Sequence, residues 1–207
     1  MYKKPIIAFE GIEATGKSHH IKKISLFLKK KRIQCLTIRE PGGHVNSEKI
    51  RRLILDNKSN FNHFTDLLLY LAARNENIEN IIKKNAGKKV ILIDRFVDST
   101  VAYQHYGMNI NINIINYLNN FLLKGINVNF TFLNLVNSKN MKSRLTKRKN
   151  LNRYDRFKLS FYTKVQKGFI KIAKSAKNKY LMIDSNKDIN HNEKIILSKI
   201  INLINIK

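Results

Sequence analysis

Residues 11–18 read Gly11-Ile12-Glu13-Ala14-Thr15-Gly16-Lys17-Ser18. They fit GxxxxGK[ST] in full, and their flanks constrain the fold more than any other feature. A short apolar run, "PIIAFE" (5–10), ends on the first glycine and reads as a buried strand. Residues 18–31 follow as a helix, with Ile21, Ile24 and Leu28 on one face. Strand, glycine turn and helix in that order make a phosphate-binding loop, the P-loop. Glycines let backbone N–H groups turn inward around phosphate oxygens without a Cβ clash. The helix N-terminus adds partial positive charge. Lys17 then reaches the β and γ phosphates of a nucleotide, and the Ser18 hydroxyl sits on Mg²⁺. A plain glycine turn would need neither side chain. His19 and His20 are adjacent and share no helix face, so they read as two helix-surface histidines and not as a metal site.

The same alternation continues along the chain. "IQCLTIRE" (33–40), "KKVILID" (88–94), "NVNFTFLNL" (127–135) and "KYLMIDS" (179–185) read as further strands. Helical patterns fall at 46–55, 64–84, 97–105, 111–124, 137–147, 157–176 and 192–205. Strands alternating with helices predict an α/β fold, a P-loop NTPase-like three-layer sandwich. Its five-stranded parallel sheet carries helices on both faces. The expected organisation is a single P-loop domain over 1–207. One mobile insertion, a small lid, is expected at about 146–156 in the basic segment "TKRKNLNRYDR".

Composition narrows the setting. The chain has one cysteine, Cys35, which excludes an intrachain disulfide framework and a cysteine-based zinc site. A reducing, cytoplasmic location is expected. No apolar stretch approaches ~18 residues, so no membrane span is expected, and the apolar run near Met1 is too short for a signal peptide. The formal net charge is +26. Clustered charge would point to nucleic acid. Here the charge is spread along a chain rich in Lys, Asn and Ile, so it reads as compositional drift and no specific nucleic-acid partner is expected. A positive field still attracts anionic nucleotides.

A P-loop alone leaves GTPase, ATPase, helicase and small-molecule kinase open. The third strand ends "LIDRF", which puts Asp94 at the sheet edge where ligands of open α/β sheets bind. A carboxylate there suits Mg²⁺, and Arg95 beside it suits a second phosphate. No guanine-specifying NKxD motif follows a strand, which argues against a GTPase. Two other classes remain to be weighed. One is a kinase for a different small molecule, told apart by a substrate panel. The other is a nucleic-acid-dependent NTPase, told apart by polynucleotide-stimulated hydrolysis.

Five separated segments resemble the thymidylate kinase family over nearly the whole chain. They are "FEGIEATGKS" (9–18), "TIREPGG" (37–43), "LLLYLAARNENIENII" (67–82), "DRFVDSTVAYQHYG" (94–107) and "NRYDRFKLSFYTKVQKGF" (152–169). The resemblance implies ATP-dependent phosphorylation of dTMP to dTDP, with Mg²⁺ held by Ser18 and Asp94, and a homodimer. It implies an ATP loop of Gly11, Ile12, Glu13, Ala14, Thr15, Gly16, Lys17 and Ser18. Glu13 is implied on the acceptor's sugar or phosphate, Arg95 and Arg51 on its 5′-phosphate, and Glu40 in the acceptor site. Tyr70 is implied to stack on the base, and Phe is usual there. Arg74 is implied to bond a thymine carbonyl, Thr100 and Gln104 to line the base pocket, and Tyr103 to crowd the 2′ position. Some family members carry an arginine inside the P-loop. This chain has Ala14 there, so catalytic arginines are expected from the lid, Arg153 first and Arg148 next. The bond beside Pro41 is either trans or cis on sequence grounds.

Overall fold

The structure, a computed structural model, describes residues 3–206. Five strands, β1 (Ile6–Glu10), β2 (Cys35–Arg39), β3 (Val90–Asp94), β4 (Phe130–Leu135) and β5 (Tyr180–Asp184), form one sheet. Their order is β2-β3-β1-β4-β5, and every neighbouring pair is parallel. The longer helices are α1 (Lys17–Lys30), α2 (Val45–Leu55) and α3 (His63–Asn77). α3 runs through a π-helical turn at Ile78–Ile82 into α4 (Lys83–Asn85). α5 (Val97–Thr100) continues as a π-helical stretch over Val101–Gly107. α6 (Ile112–Leu123), α7 (Ser138–Thr146), α8 (Leu159–Ser175) and α9 (Ile189–Ile204) complete the chain.

The central strands are apolar on both sides because helices cover both sides. Ile7 and Phe9 of β1 join Ile24 and Leu28 of α1 and Ile196 and Ile200 of α9 in one core. Ile6 and Ala8, one residue out of phase, pack with Ile78, Ile82 and Phe96 on the other side. Val165, Phe169 and Ala173 of α8 extend that second layer over Leu133. Each Val, Leu, Ile or Phe among them contributes roughly 1.5–3 kcal/mol when fully buried. The asparagine-rich composition has a local use. Side chains of Asn62, Asn111, Asn137 and Asp188 accept backbone N–H groups at the starts of α3, α6, α7 and α9. Such caps contribute about 1 kcal/mol each.

Some boundaries differ from the sequence reading for physical reasons. The fourth strand begins at Phe130, because Asn127 and Gly125 belong to a turn in which Asn127 Nδ2 donates to the Gly125 carbonyl. The helices expected at 64–84 and 97–105 change to π geometry partway, which apolar spacing over one turn does not reveal.

This architecture opens a crevice at the carboxyl end of β1. After β1 the chain moves toward β2 on one side, and after β3 it crosses to β4 on the other, so helices part there. The π-helical stretch that borders the crevice sits tightly on α8. A Cβ on Gly168 would lie 2.5 Å from Tyr106 Cδ2. Gly168→Ala is therefore expected to cost about 1–3 kcal/mol by overpacking. Urea denaturation should show a lower midpoint at unchanged slope.

Candidate active site

The P-loop joins β1 to α1 through two left-handed residues, Ala14 (φ 58°) and Gly16 (φ 85°). Gly11 (φ 132°) lies so close to β4 that a Cβ would fall 2.2 Å from the Asn134 carbonyl oxygen. Lys17 opens α1 and folds back under the loop. Its Nζ donates to the carbonyls of Gly11 (3.0 Å) and Ile12 (2.9 Å) and to Thr15 Oγ1 (3.1 Å). Burial, and Arg95 nearby, push its pKa down to about 8. Ser18 follows on the solvent side, and its Oγ donates to Asp94 Oδ2 at 2.6 Å. A hydroxyl and a carboxylate at the mouth of a phosphate loop are hard oxygen donors of the kind Mg²⁺ takes.

Parallel pairing sets Phe9 beside Asp94, so Arg95 leaves β3 next to Gly11. Arg95 adopts a left-handed backbone (φ 67°), which aims its side chain across the loop. Its guanidinium donates to the Gly11 carbonyl (2.9 Å) and to Glu13 Oε1 (3.0 Å). The second oxygen of Glu13 accepts the Tyr103 hydroxyl at 2.6 Å. One carboxylate thus fixes a cation and a phenol at the centre of the cleft. Arg51 reaches in from α2 and donates to the Pro41 carbonyl, after a Glu40–Pro41 bond that is cis.

The far end of the cleft is built by α3 and the π-helical stretch. Arg74 is fully buried, not the surface arginine that its helix position alone suggests. It donates to Glu40 Oε2 (2.8 Å), Asn119 Oδ1 (2.7 Å) and the Phe96 carbonyl (2.9 Å). A guanidinium has five N–H groups, so two are left over from these three bonds. Burial raises the Glu40 pKa, against the pull of Arg74. Tyr70, one turn before Arg74, meets the Tyr154 ring edge-on at 5.8 Å. Thr100 Oγ1 and Gln104 Nε2 are buried and make no hydrogen bond among the described residues. An unpaired buried polar atom costs about 1–3 kcal/mol, so both call for a partner arriving through the cleft.

Of the site residues expected from the sequence, all but Gly11, Ile12 and Arg153 line one cleft of about 470 Å³. That volume suits nucleotide-sized ligands. The basic segment contributes unequally. Arg148 lines the cleft and pairs with Asp155 at 2.7 Å. Arg153 does not line it. Its guanidinium is held by Asp66 of α3 at 2.5 Å, and Asp66 also accepts the Tyr154 hydroxyl. Arg144, at the end of α7, donates to the Ala14 carbonyl (3.0 Å) and the Ser185 carbonyl (2.7 Å) and so clasps the P-loop. Sequence reasoning gave Arg144 no such part and passed over Tyr154 and Asp155 as cleft residues. The three-residue spacing from Asn152 to Asp155 was the available signal, since both Asn152 amides donate to that carboxylate.

The histidine reading needs correction. His20 is not on the surface but buried, and burial, with His19 beside it, pushes its pKa down to about 4. His20 lies four residues before Ile24 and eight before Leu28, on the face of α1 that packs into the core. His19 Nε2 lies 3.7 Å from Glu193 Oε2 of α9.

Comparison with known proteins follows the same residues. The family model described as thymidylate kinase matches residues 9–196. A thymidylate kinase of Sulfurihydrogenibium sp. is 37% identical over 197 residues, covering 94% of this chain and 95% of that protein. One from Thermosipho africanus is 39% identical over 186 residues, covering 89% and 92%. The crystal structure of thymidylate kinase from Ehrlichia chaffeensis superposes with a TM-score of 0.77 at 28% identity, covering 95% of this chain and 98% of that one.

The Lys17 geometry predicts a pH dependence of polyphosphate binding. The free protein releases the Lys17 proton near pH 8, and a bound anion holds that proton more tightly. Affinity for ATP should therefore fall as pH rises above about 8, by at most about tenfold per pH unit. Calorimetric titration between pH 7 and 9.5 checks this, and Lys17→Ala should bind weakly with a flat profile.

Proposed function

The chain belongs to the thymidylate kinase family, and from that premise we propose that its cleft transfers the γ-phosphoryl group of ATP to dTMP. The products are dTDP, for dTTP synthesis, and ADP. The observation that carries the reading is the convergence of two cationic centres on one cleft. Lys17 stands in the P-loop, and Arg95 is held by Glu13.

The acceptor is a phosphate oxygen, already anionic at neutral pH, so no general base is required. Catalysis reduces to aligning two polyanions and neutralising the charge between them. Lys17 and the P-loop amides take the donor's phosphates. Arg95 and Arg51 take the acceptor's phosphate, and Glu13 and Tyr103 keep Arg95 aimed. Ser18 and Asp94 would hold Mg²⁺, which would supply charge neutralisation on the donor phosphates. Residues 146–156 act as the lid, and Arg148 is its arginine nearest the reacting groups, since Arg153 is engaged by Asp66.

Tyr70 stacks on the thymine, and the free N–H groups of Arg74 meet its carbonyl. Thr100 and Gln104 find in the base the partners they lack in the protein. Tyr103 excludes a 2′-hydroxyl. The working unit is a homodimer. Support comes from exposed apolar side chains on three neighbouring helices: Leu53 of α2, Phe64 and Leu68 of α3, and Tyr117 and Phe121 of α6. Among the described residues no helix is long and apolar enough to cross a membrane. The free thiol of Cys35 supports a reducing, cytoplasmic setting.

A coupled ADP-release assay with ATP·Mg²⁺ and each nucleoside monophosphate tests the substrate. dTMP should be preferred. dCMP, which sets an amino donor against Arg74, should lose roughly 1–3 kcal/mol in kcat/KM, and dUMP, lacking a methyl, about 1–2 kcal/mol. Preference for another monophosphate would overturn the assignment. In the same assay Arg148→Ala should lower kcat more than it raises the dTMP KM. If Arg148→Ala, Arg153→Ala and the double variant all turn over normally, the lid has no part in the chemistry.

A further inference from the structure

Glu10, the last residue of β1, is a buried carboxylate that the mechanism above does not use. Its environment is specific. Oε1 accepts the backbone N–H of Phe96 (2.8 Å) and, more weakly, that of Ser99 (3.3 Å). Oε2 accepts the Ser99 hydroxyl at 2.6 Å. Ser99 Oγ in turn lies 3.5 Å from Arg95 NH1. All three donors belong to the residues that directly follow Arg95. Phe96 is the N-cap of α5 and has no side-chain cap to offer, so Glu10 accepts from another strand the Ser99 amide that a cap would take, and the Phe96 amide as well. The need is evident from the backbone. Arg95 holds a left-handed conformation that a non-glycine residue adopts at a cost, and such a conformation persists only where the surroundings fix it.

We propose that Glu10 is a positioning residue for the acceptor phosphate: it fixes the turn after β3 so that the Arg95 guanidinium points into the cleft. The inference rests on the reading of Arg95 as the acceptor-phosphate ligand. Glu13 orients Arg95 by its side chain, from within the P-loop. Glu10 orients it by its backbone, from beneath. Ser99 links the two, because the hydroxyl that donates to Glu10 turns its lone pairs toward Arg95.

The test is a double-substitution cycle in steady-state kinetics with the full chain. Glu10→Ala should raise the acceptor KM about tenfold or more while the ATP KM stays within about twofold. Glu10→Gln keeps one accepting oxygen and should recover part of the loss. In an Arg95→Ala background, Glu10→Ala should add less than about twofold, because the residue it acts through is gone. Additive effects in that background, or an equal rise in both KM values, would overturn the proposal. If Glu10→Ala does not fold, Glu10→Gln and Ser99→Ala complete the cycle, with smaller effects on the acceptor KM alone. The cycle is read with whichever monophosphate the wild type phosphorylates. Failure of the dTMP assignment then shows in the wild type, and failure of the positioning role shows in the cycle.

Discussion

The parallel pairing of β1 with β3, from Ile6 beside Ile91 to Phe9 beside Asp94, is the constraint on which the cleft depends. It brings two chain reversals side by side at one sheet edge. One is the P-loop, which begins at Gly11. The other is the turn at Arg95. A slip of one residue would turn every side chain to the opposite face. It would bury Asp94 away from Ser18 and point Arg95 away from Glu13. Both strands are apolar on both faces, so what opposes the slip is the fit of Ile7 and Phe9 into one core and of Ile6 and Ala8 into the other. Hydrophobic burial far from the cleft thus sets the distances between charged groups within it.

Those charges are arranged with care for desolvation. Arg74 and Glu40 are both almost fully buried, and each satisfies the other together with Asn77, Asn119 and the Phe96 carbonyl. A buried pair of this kind adds little net stability, yet removing one partner costs about 3–5 kcal/mol because a charge is left alone. Its value is geometric: three bonds hold the guanidinium in one orientation. Loss of Arg74 would therefore weaken the fold as well as base recognition, so the ratio between bases reports its role more cleanly than activity does.

Much of this was legible in the sequence where spacing is local. Gly11 to Ser18 announces its own turn, and Tyr70 and Arg74 share a helix face by their four-residue interval. The alternation of apolar strands and helices was enough for the sheet. What escaped was set by contacts between distant segments. Asp66 captures Arg153 from 87 residues away. Glu10 read only as the last residue of the first strand, because its partners arrive only when β3 is laid beside β1. The π-helical stretches escaped for another reason: one widened turn keeps the same residues apolar.

Arg144 gives the basic segment a mechanical character. At one end it ties α7 to the carbonyls of Ala14 and Ser185, and at the other Arg153 and Tyr154 are moored to Asp66. The residues between are fastened at both ends, like a strap. Its span crosses from the floor of the P-loop to the helix that carries Tyr70 and Arg74. Tension or slack in it is shared by the two ends, and a shift at one mooring is transmitted along the backbone to the other.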